Sequence, residues 1–175
     1  MQDAELKYVF EILFRLKDHK ELIIRKCVVN VIPNLAKFNT QLFVSEYLDT
    51  SIVYLLGQLR KEKEKNFAFL AVGEIAVAVG QDIAQYLESI FQIIKESFIM
   101  KQKNTVKGDV KPLLQCISLL VIAVGPVITK FMHEILDLMF QFGLSDALTT
   151  AALDLSTHIP PLNSAIQGLH LIFYL

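Results

Sequence analysis

The chain contains 175 residues, of which 53 % are hydrophobic, and carries a formal net charge of −1 with its histidines neutral. This small net charge argues against a strong overall field for nucleic acid or membrane surfaces, and two cysteines do not imply a disulfide framework. The mean hydropathy of +0.45 is high for a complete soluble domain but typical of helices that neighbours cover on both sides.

The first two predicted helices cover residues 3–17 and 20–38. Between them, Asp18 and Glu21 have the spacing of a capping box, in which each side chain accepts from the other residue's backbone N–H. Pro33 lies inside the second helix and is expected to kink it, because its nitrogen has no hydrogen to donate. The apolar residues expected to be buried in this helix are Leu22, Ile23, Cys27, Val28, Val31, Ile32 and Leu35.

The next two predicted helices cover residues 41–60 and 66–79, and a charged turn, 60–65, joins them. Thr40 is expected to cap the third helix. The fourth is apolar on nearly every side, with Glu74 as its one charge. Such a helix is stable in water only when other helices cover it.

Gly80 is predicted to end the fourth helix, and the fifth extends to residue 99 with Asp82 and Gln85 forming a second capping box. Residues 100–109 are polar and basic, which predicts a flexible loop. Pro112 suits the first turn of the sixth helix. The remaining helices are predicted over residues 112–124, 127–142, 145–158 with Ser145 as cap, and 163–175, with a corner at 159–161.

Two stretches of the chain, 80–94 and 125–139, have the same apolar pattern and align without a gap. Their matched positions follow the three-and-four spacing of one helix face, and they lie about 45 residues apart, in the range of helical solenoids. Weaker copies begin at Val44 and Leu162. We therefore predict an all-α, right-handed α-α superhelix of the HEAT/armadillo type, with an irregular helical bundle as the alternative.

This solenoid is expected to form one array of four helical hairpins and a final half repeat. The predicted repeats cover residues 3–38, 40–80, 81–125, 126–159 and 160–175. In each hairpin an amphipathic outer helix precedes a more apolar inner helix. Because the apolar end 171–175 lacks a polar cap, we expect either a longer natural chain or a partner at that end.

Helix pairs of about 40 residues resemble HEAT repeats. Asp18 in the first turn and Arg25 in the helix after it are similar to that family's turn aspartate and basic residue, with Lys65 and Lys111 as looser counterparts. A more specific resemblance is to the N-terminal HEAT region of the target-of-rapamycin (TOR) kinase family. The segments that carry it, in the same order, are 24–36, 43–48, 61–65, 71–79, 143–149, 154–156 and 159–160.

This resemblance implies a fragment of a very large serine/threonine kinase that controls growth in response to nutrients, with the catalytic domain far downstream of this chain. It implies protein partners, namely a raptor-type subunit or a second copy of the parent kinase. It also implies a cytoplasmic location, with the parent complex at an endolysosomal or vacuolar membrane surface. The alternative is a free-standing HEAT-repeat adaptor or a protein similar to a transport receptor.

The residues themselves offer little chemistry. The sequence has no glycine-rich phosphate-binding pattern and no kinase H-R-D or D-F-G pattern, so we predict a non-catalytic chain without a cofactor. No metal site is predicted, because metal-ligand spacing is missing at His19, His133, His158 and His170. Cys27 and Cys116 are interpreted as reduced core residues, and Glu74 as facing the concave surface or pairing with a neighbour. A small helical enzyme or lipid carrier would need a polar constellation or enclosed pocket that this pattern does not supply.

No membrane-spanning segment and no signal peptide are predicted. The longest apolar run, 116–128, contains Gly125 and Pro126 and is shorter than the ~20 residues that cross a bilayer. The N-terminal residues are charged and have the pattern of a helix.

Basic residues on the predicted turns are the candidate partner contacts. They are Arg60, Lys61, Lys63, Lys65, Lys101, Lys103 and Lys107. The lysines of the loop 100–109 would suit an acidic protein, a phospholipid or RNA, and the alternative is a loop that contacts only solvent. For the chain as a whole, we expect no nucleic-acid partner.

Overall fold

The computed structural model describes residues 2–103 and 109–174, and the side chains of 4–103 and 109–169. All regular structure in these ranges is helical, which confirms the prediction of an all-α solenoid. The first hairpin consists of α1 (Gln2–Leu16) and α2 (Leu22–Phe38). A short helix, α3 (Thr40–Leu42), leads into the next.

The helix predicted over 41–60 is interrupted. After α3 the chain forms a π-helical segment, Phe43–Tyr47, and then α4 (Leu48–Leu59). The second inner helix, α5 (Lys65–Val79), follows the charged turn. A seven-residue 3₁₀ segment, Gly80–Tyr86, then leads into α6 (Leu87–Lys103).

The second half of the chain repeats this order. Helix α7 (Lys111–Val124) has Pro112 in its first turn, as predicted. A 3₁₀ segment, Gly125–Ile128, precedes α8 (Thr129–Phe140). The last two helices, α9 (Asp146–His158) and α10 (Asn163–Tyr174), are separated by a 3₁₀ segment, Pro160–Leu162.

The helices pack in two layers. In the inner layer α2 packs on α5, α5 on α7, and α7 on α9; in the outer layer α4 packs on α6, α6 on α8, and α8 on α10. Helix α1 covers α2. Each helix therefore contacts its counterparts in the neighbouring hairpins, which is the arrangement of a solenoid. The repeat boundaries and the right-handed sense stay predictions.

The two stretches that share one apolar pattern occupy equivalent places. Ile83 and Ile128 are both fully buried, as are Ile90 and Ile135 to within 1 %. Both stretches begin with a glycine, and Gly80 has φ +59° and Gly125 has φ +53°. Only glycine adopts this conformation readily, because a Cβ would collide with the backbone. The same local geometry thus turns the chain from an inner to an outer helix twice.

Several predicted caps are wrong. Asp18 pairs with Lys17 at 2.6 Å, and the Glu21 backbone N–H donates to His19 Nδ1 at 3.1 Å, so the two acids do not cap each other. The expected Asp82–Gln85 capping box lies inside the 3₁₀ segment and makes no cap hydrogen bond. The reason is that a 3₁₀ turn places backbone N–H groups differently from an α-helical first turn.

The cap of the third helix is Asn39 rather than Thr40. The Leu42 backbone N–H donates to Asn39 Oδ1 at 3.1 Å, whereas Thr40 Oγ1 donates back to the Ala36 carbonyl at 2.9 Å. Ser145 caps α9 as predicted, accepting from the Leu148 N–H.

The burial predicted for α2 is partly wrong. Ile23 is 65 % exposed and Cys27 is also exposed, whereas Val29 and Ala36 are fully buried. In the described part of the chain, α2 has an inner helix on one side only, so its opposite side stays open. Helix α2 continues through Pro33, whose side chain is buried.

Two stretches, Lys65–Lys103 and Lys111–Phe140, are long and apolar enough to cross a membrane by length and composition alone. About half of the 18-residue apolar window in each stretch is buried inside the protein, at 50 % and 56 %. Each stretch joins an inner helix to the following outer helix through a 3₁₀ segment that starts at a glycine. Burial in a layered core accounts for their apolar character.

Candidate interaction surface

The first three turns that connect outer to inner helices lie along one edge, and we call their described residues (17–25, 60–65, 101–103 and 109) the turn ridge. Arg25 joins its first two turns. The Arg25 Nε and Nη2 atoms donate to Glu64 Oε1 at 2.9 and 2.7 Å, and Nη1 donates to the His19 and Lys20 carbonyls at 2.8 and 2.9 Å. The two charged side chains are only 19 % and 6 % exposed. This buried pair therefore holds the two turns in register.

Asp18 and Arg25, which are similar to the turn aspartate and basic residue of HEAT repeats, form ion pairs with different residues. Arg25 binds Glu64 of the next hairpin, while Asp18 binds its neighbour Lys17, which lowers the pKa of the Asp18 carboxyl. Behind these turns Tyr54 donates to the Lys17 carbonyl at 3.3 Å, and burial raises the Tyr54 pKa to about 12. Partly buried polar contacts of Arg25, Glu64 and Tyr54 therefore connect the first two turns.

Lys101 extends the ridge to the third turn. Its Nζ donates to the Asp109 carbonyl oxygen at 2.6 Å, and its side chain is buried. Burial lowers the Lys101 pKa, and the nearby Lys65 lowers it further. The expectation of an exposed loop contact at Lys101 is therefore wrong. The predicted loop begins too early, because α6 continues to Lys103.

The other candidate contacts differ in exposure. Arg60, Lys61, Lys63 and Lys103 are exposed. Lys65 is largely buried, at 13 % exposure of its side chain, and binds Glu62 at 2.6 Å. This contact lowers the Glu62 pKa. The last candidate, Lys107, lies outside the described residues.

In the described part of the chain, seven pairs of residues connect neighbouring hairpins by side-chain hydrogen bonds, and the two residues of each pair are 36 to 39 positions apart. The pairs are Lys17–Tyr54, Arg25–Glu64, Lys37–Glu74, Asp49–Tyr86, Lys95–Glu134, Gln102–Gln141 and Ser118–Asp154. Glu74, the one charge of its helix, accepts from Lys37 at 2.8 Å, which confirms the predicted pairing. This spacing equals the length of one repeat. A search of the sequence for polar pairs separated by 36 to 39 residues could have found it.

A groove of about 520 Å³ crosses the inner layer between α5, α7 and α9. Leu70, Leu119 and Ala147 contribute apolar surface, and Lys111 and Asp146 add charges of opposite sign. The sequence analysis did not single out this groove, because its lining comes from three helices that are distant in the chain. It is a second surface on which a partner segment would find both apolar and polar contacts.

The described residues contain no group of three or more His, Cys, Asp or Glu side chains that could hold a metal ion. Cys116 is fully buried, and burial raises its pKa to about 12. Cys27 is exposed on α2. The interpretation as a core residue is therefore confirmed for Cys116 and wrong for Cys27.

Comparison with known proteins adds a family and several relatives. The family described as importin subunit beta-1-like, TPR repeats, matches residues 3–168. The chain is 36 % identical to the serine/threonine-protein kinase tor1 of Schizosaccharomyces pombe over 157 residues. The aligned residues cover 90 % of this chain and 7 % of that protein. It is 38 % identical over 154 residues to the serine/threonine-protein kinase mTor of Drosophila melanogaster, 86 % of this chain and 6 % of the relative.

A third relative, the serine/threonine-protein kinase TOR2 of Saccharomyces cerevisiae, is 30 % identical over 168 residues, 91 % of this chain and 7 % of that protein. The chain thus spans less than a tenth of the length of these curated relatives.

Proposed function

From the premise that this chain belongs to the importin subunit beta-1-like TPR-repeat family and fits an N-terminal HEAT region of TOR kinases, we propose that it is a non-catalytic scaffold segment of a TOR-type serine/threonine kinase. In this role it serves nutrient-responsive growth signalling by presenting helical surfaces to protein partners. Catalysis belongs to the remainder of the parent protein.

The observation that supports this proposal most strongly is the stacked inner layer. Helices α5 and α7 each pack between two other inner helices, and their large apolar side chains fill that interface. Phe69, Ile75, Leu113 and Ile117 are all fully buried. Because these side chains are buried between helices, they stabilise the stack and are not available to partners. Partners can therefore contact only the exposed edges, whose shape and charge determine binding.

The partners that fit this proposal are a raptor-type subunit or a second copy of the parent kinase. The proposed location is cytoplasmic, with peripheral association of the parent complex at an endolysosomal or vacuolar membrane. The turn ridge and the groove between α5, α7 and α9 are the two candidate contact surfaces.

The size of the natural polypeptide tests the proposal. An antibody raised against the purified chain should detect in cell extract a polypeptide more than ten times its length, because the chain covers only 6–7 % of its relatives. Immunoprecipitates should phosphorylate protein substrates and lose that activity when the transcript is depleted. A band near 19.8 kDa alone would contradict the proposal and support a free-standing HEAT-repeat adaptor, the alternative function.

A second experiment tests the scaffold role itself. In the full-length protein, Phe69→Asp would place a carboxylate in the inner layer and disrupt the stack. We expect loss of co-purifying partner subunits, while the isolated kinase activity toward a peptide substrate persists. Equal loss of peptide phosphorylation and of partners would contradict a purely structural role. Exposed Thr149→Asp serves as the control.

A further inference from the structure

We propose that the turn ridge binds an acidic segment of a partner protein, that is, a flexible stretch containing several Asp or Glu residues. This inference deepens the proposed scaffold function and rests on it. It assigns to one edge of the solenoid a partner of defined chemistry.

The geometry of the ridge supplies the first argument. The Arg25 guanidinium spans the turns 17–21 and 60–64 with direct hydrogen bonds to both. Lys101 binds the Asp109 carbonyl oxygen and lies close enough to Lys65 for their charges to interact. The described residues of three turns, about forty residues apart in the chain, therefore lie near one another along one edge.

The distribution of charge supplies the second argument. The ridge residues 17–25, 60–65, 101–103 and 109 contain nine Lys or Arg and five Asp or Glu, a net charge of +4, whereas the rest of the chain contains eight and thirteen, a net charge of −5. Residues 38–59 and 66–94 contain five acids and no Lys or Arg. The net charge of the whole chain is close to zero because a positive ridge and a negative remainder nearly cancel. A field of this kind attracts an acidic partner to one edge and repels it from the others.

The pairing of the ridge charges supplies the third argument. Most of the ridge acids are already neutralised or occupied: Glu64 by Arg25, Glu62 by Lys65 and Asp18 by Lys17. Among the described residues, no ion pair is made by the exposed cations Lys20, Arg60, Lys61, Lys63 and Lys103. Lys61 lies near enough to Asp18 to contribute to its lowered pKa. The ridge therefore presents discrete cations that have charge available for a partner.

An acidic peptide suits this pattern better than a continuous polyanion. Glu21 and Asp109 are exposed on the same ridge, and neither carboxylate makes an ion pair among the described residues, so a phosphate backbone or a charged bilayer laid along the ridge would meet carboxylates between the cations. A flexible peptide can place its own carboxylates at the cations and leave gaps at the acids. Exposed aromatic rings, which stack on bases in single-stranded RNA complexes, do not line the described ridge turns.

The test uses the full chain and four fluorescent probes: a peptide of alternating Glu and Ser, its Gln and Ser counterpart, a single-stranded RNA, and vesicles of phosphatidylcholine with phosphatidylserine. We expect binding to the Glu peptide that weakens as salt rises, and no binding to the Gln peptide. Tighter binding of RNA or vesicles than of the Glu peptide would overturn the proposal, as would absence of binding to every probe.

Charge-reversal variants locate the site. Lys61→Glu with Lys63→Glu should weaken binding of the Glu peptide by on the order of 10-fold, since attraction becomes repulsion at two contacts. The matched control, Lys7→Glu with Lys130→Glu, changes the net charge equally on exposed residues away from the ridge and should change affinity by less than about 2-fold. Equal weakening in both variants would overturn the proposal, because it would indicate a response to net charge alone.

A variant that is expected to bind the Glu peptide more tightly also tests the proposal. Glu62→Gln removes an acid whose side chain is 82 % exposed and releases Lys65, so the Glu peptide should bind about 2- to 5-fold more tightly. Weaker binding would contradict the proposal. In the full-length protein, partner recovery that persists with the Lys61 and Lys63 reversals would overturn the ridge as the docking site yet leave the scaffold function standing.

Discussion

The inner and outer layers of this solenoid both consist of stacked α-helices but are held together differently. In the inner layer, Gly73 of α5 brings the helix so close to α7 that a Cβ at that position would lie 2.7 Å from Leu119 Cδ1. In the outer layer, α6 and α8 meet through a stacked ring pair, Phe91–Phe131 at 4.8 Å, and the partly exposed Lys95–Glu134 ion pair.

This difference indicates where the stability of the protein resides. Close packing of fully buried side chains stabilises more than contacts that water still reaches. We therefore expect substitutions of fully buried inner-layer residues to change the free energy of unfolding strongly, and those of the partly exposed outer-layer residues Phe131 and Lys95 to change it weakly.

The largest effect is expected from Phe69→Ala. Phe69 is fully buried in α5, and its loss removes apolar contacts and leaves a cavity, which should lower the free energy of unfolding by about 3–5 kcal/mol. Chemical denaturation of both proteins measures the difference. Phe131→Ala, in the outer layer, should have less than half that effect, and equal effects would contradict the comparison.

Arg25→Ala should rank second. It leaves the nearly buried Glu64 carboxylate and two backbone carbonyls without their donor, at a cost of about 2–4 kcal/mol. Replacing both partners, as in Arg25→Met with Glu64→Leu, should recover part of this loss. Lys95→Ala, which breaks an exposed pair, should leave the denaturation midpoint unchanged; a comparable shift there would show that burial is not the cause.

Gly73→Ala tests the close approach of α5 and α7. The added methyl group would overlap Leu119 Cβ at 2.9 Å, and overpacking costs about 1–3 kcal/mol, partly offset by the roughly 1 kcal/mol helix preference of Ala over Gly. We expect a net loss of about 1 kcal/mol, measured by thermal or chemical unfolding. Adding Leu119→Ala removes the Cδ1 atom that would lie 2.7 Å away but keeps Cβ, so it should reduce the cost of Gly73→Ala; additive losses would argue against direct contact.

Alkaline pH should reveal the burial of Cys116 in the middle of the inner layer. Burial raises its pKa from 9.0 to about 12, so above pH 9 the unfolded chain loses this proton while the folded chain keeps it. Stability is therefore fully present below pH 9 and falls between pH 9 and 12, by about 1.4 kcal/mol per pH unit for this group. Cys116→Ala should make unfolding less sensitive to pH in that range, and an unchanged dependence would contradict this assignment.

The two cysteines allow two helices of the inner layer to be compared, α2 at its edge and α7 in its middle. Iodoacetamide should label the exposed Cys27 in the folded protein and leave Cys116 unmodified until denaturant is added. Mass spectrometry after proteolysis identifies the labelled residue. Cys27→Ser should remove labelling of the folded protein, and modification of Cys116 at the same rate would contradict its burial between α5 and α9.

Much of the candidate surface could be predicted because its residues lie in one short charged turn. Arg60, Lys61 and Lys63 are exposed as expected, since a polar turn between two apolar helices has nowhere to be buried. By contrast, the prediction that Lys101 lies on an exposed loop is wrong. Lys101 is buried where its Nζ donates to the Asp109 carbonyl oxygen, eight residues later, and no local sequence pattern indicates this contact.

The sequence by itself determined the local units of this protein. The spacing of apolar residues specifies helices and their repeated pattern, and Gly80 and Gly125 mark the corners because only glycine readily adopts their backbone conformation. The tertiary structure alone decided which side of α2 is exposed and that Arg25 finds its carboxylate 39 residues away. The rotation of each helix and the partners of its charges depend on the neighbours stacked against it, and those neighbours are distant in the chain.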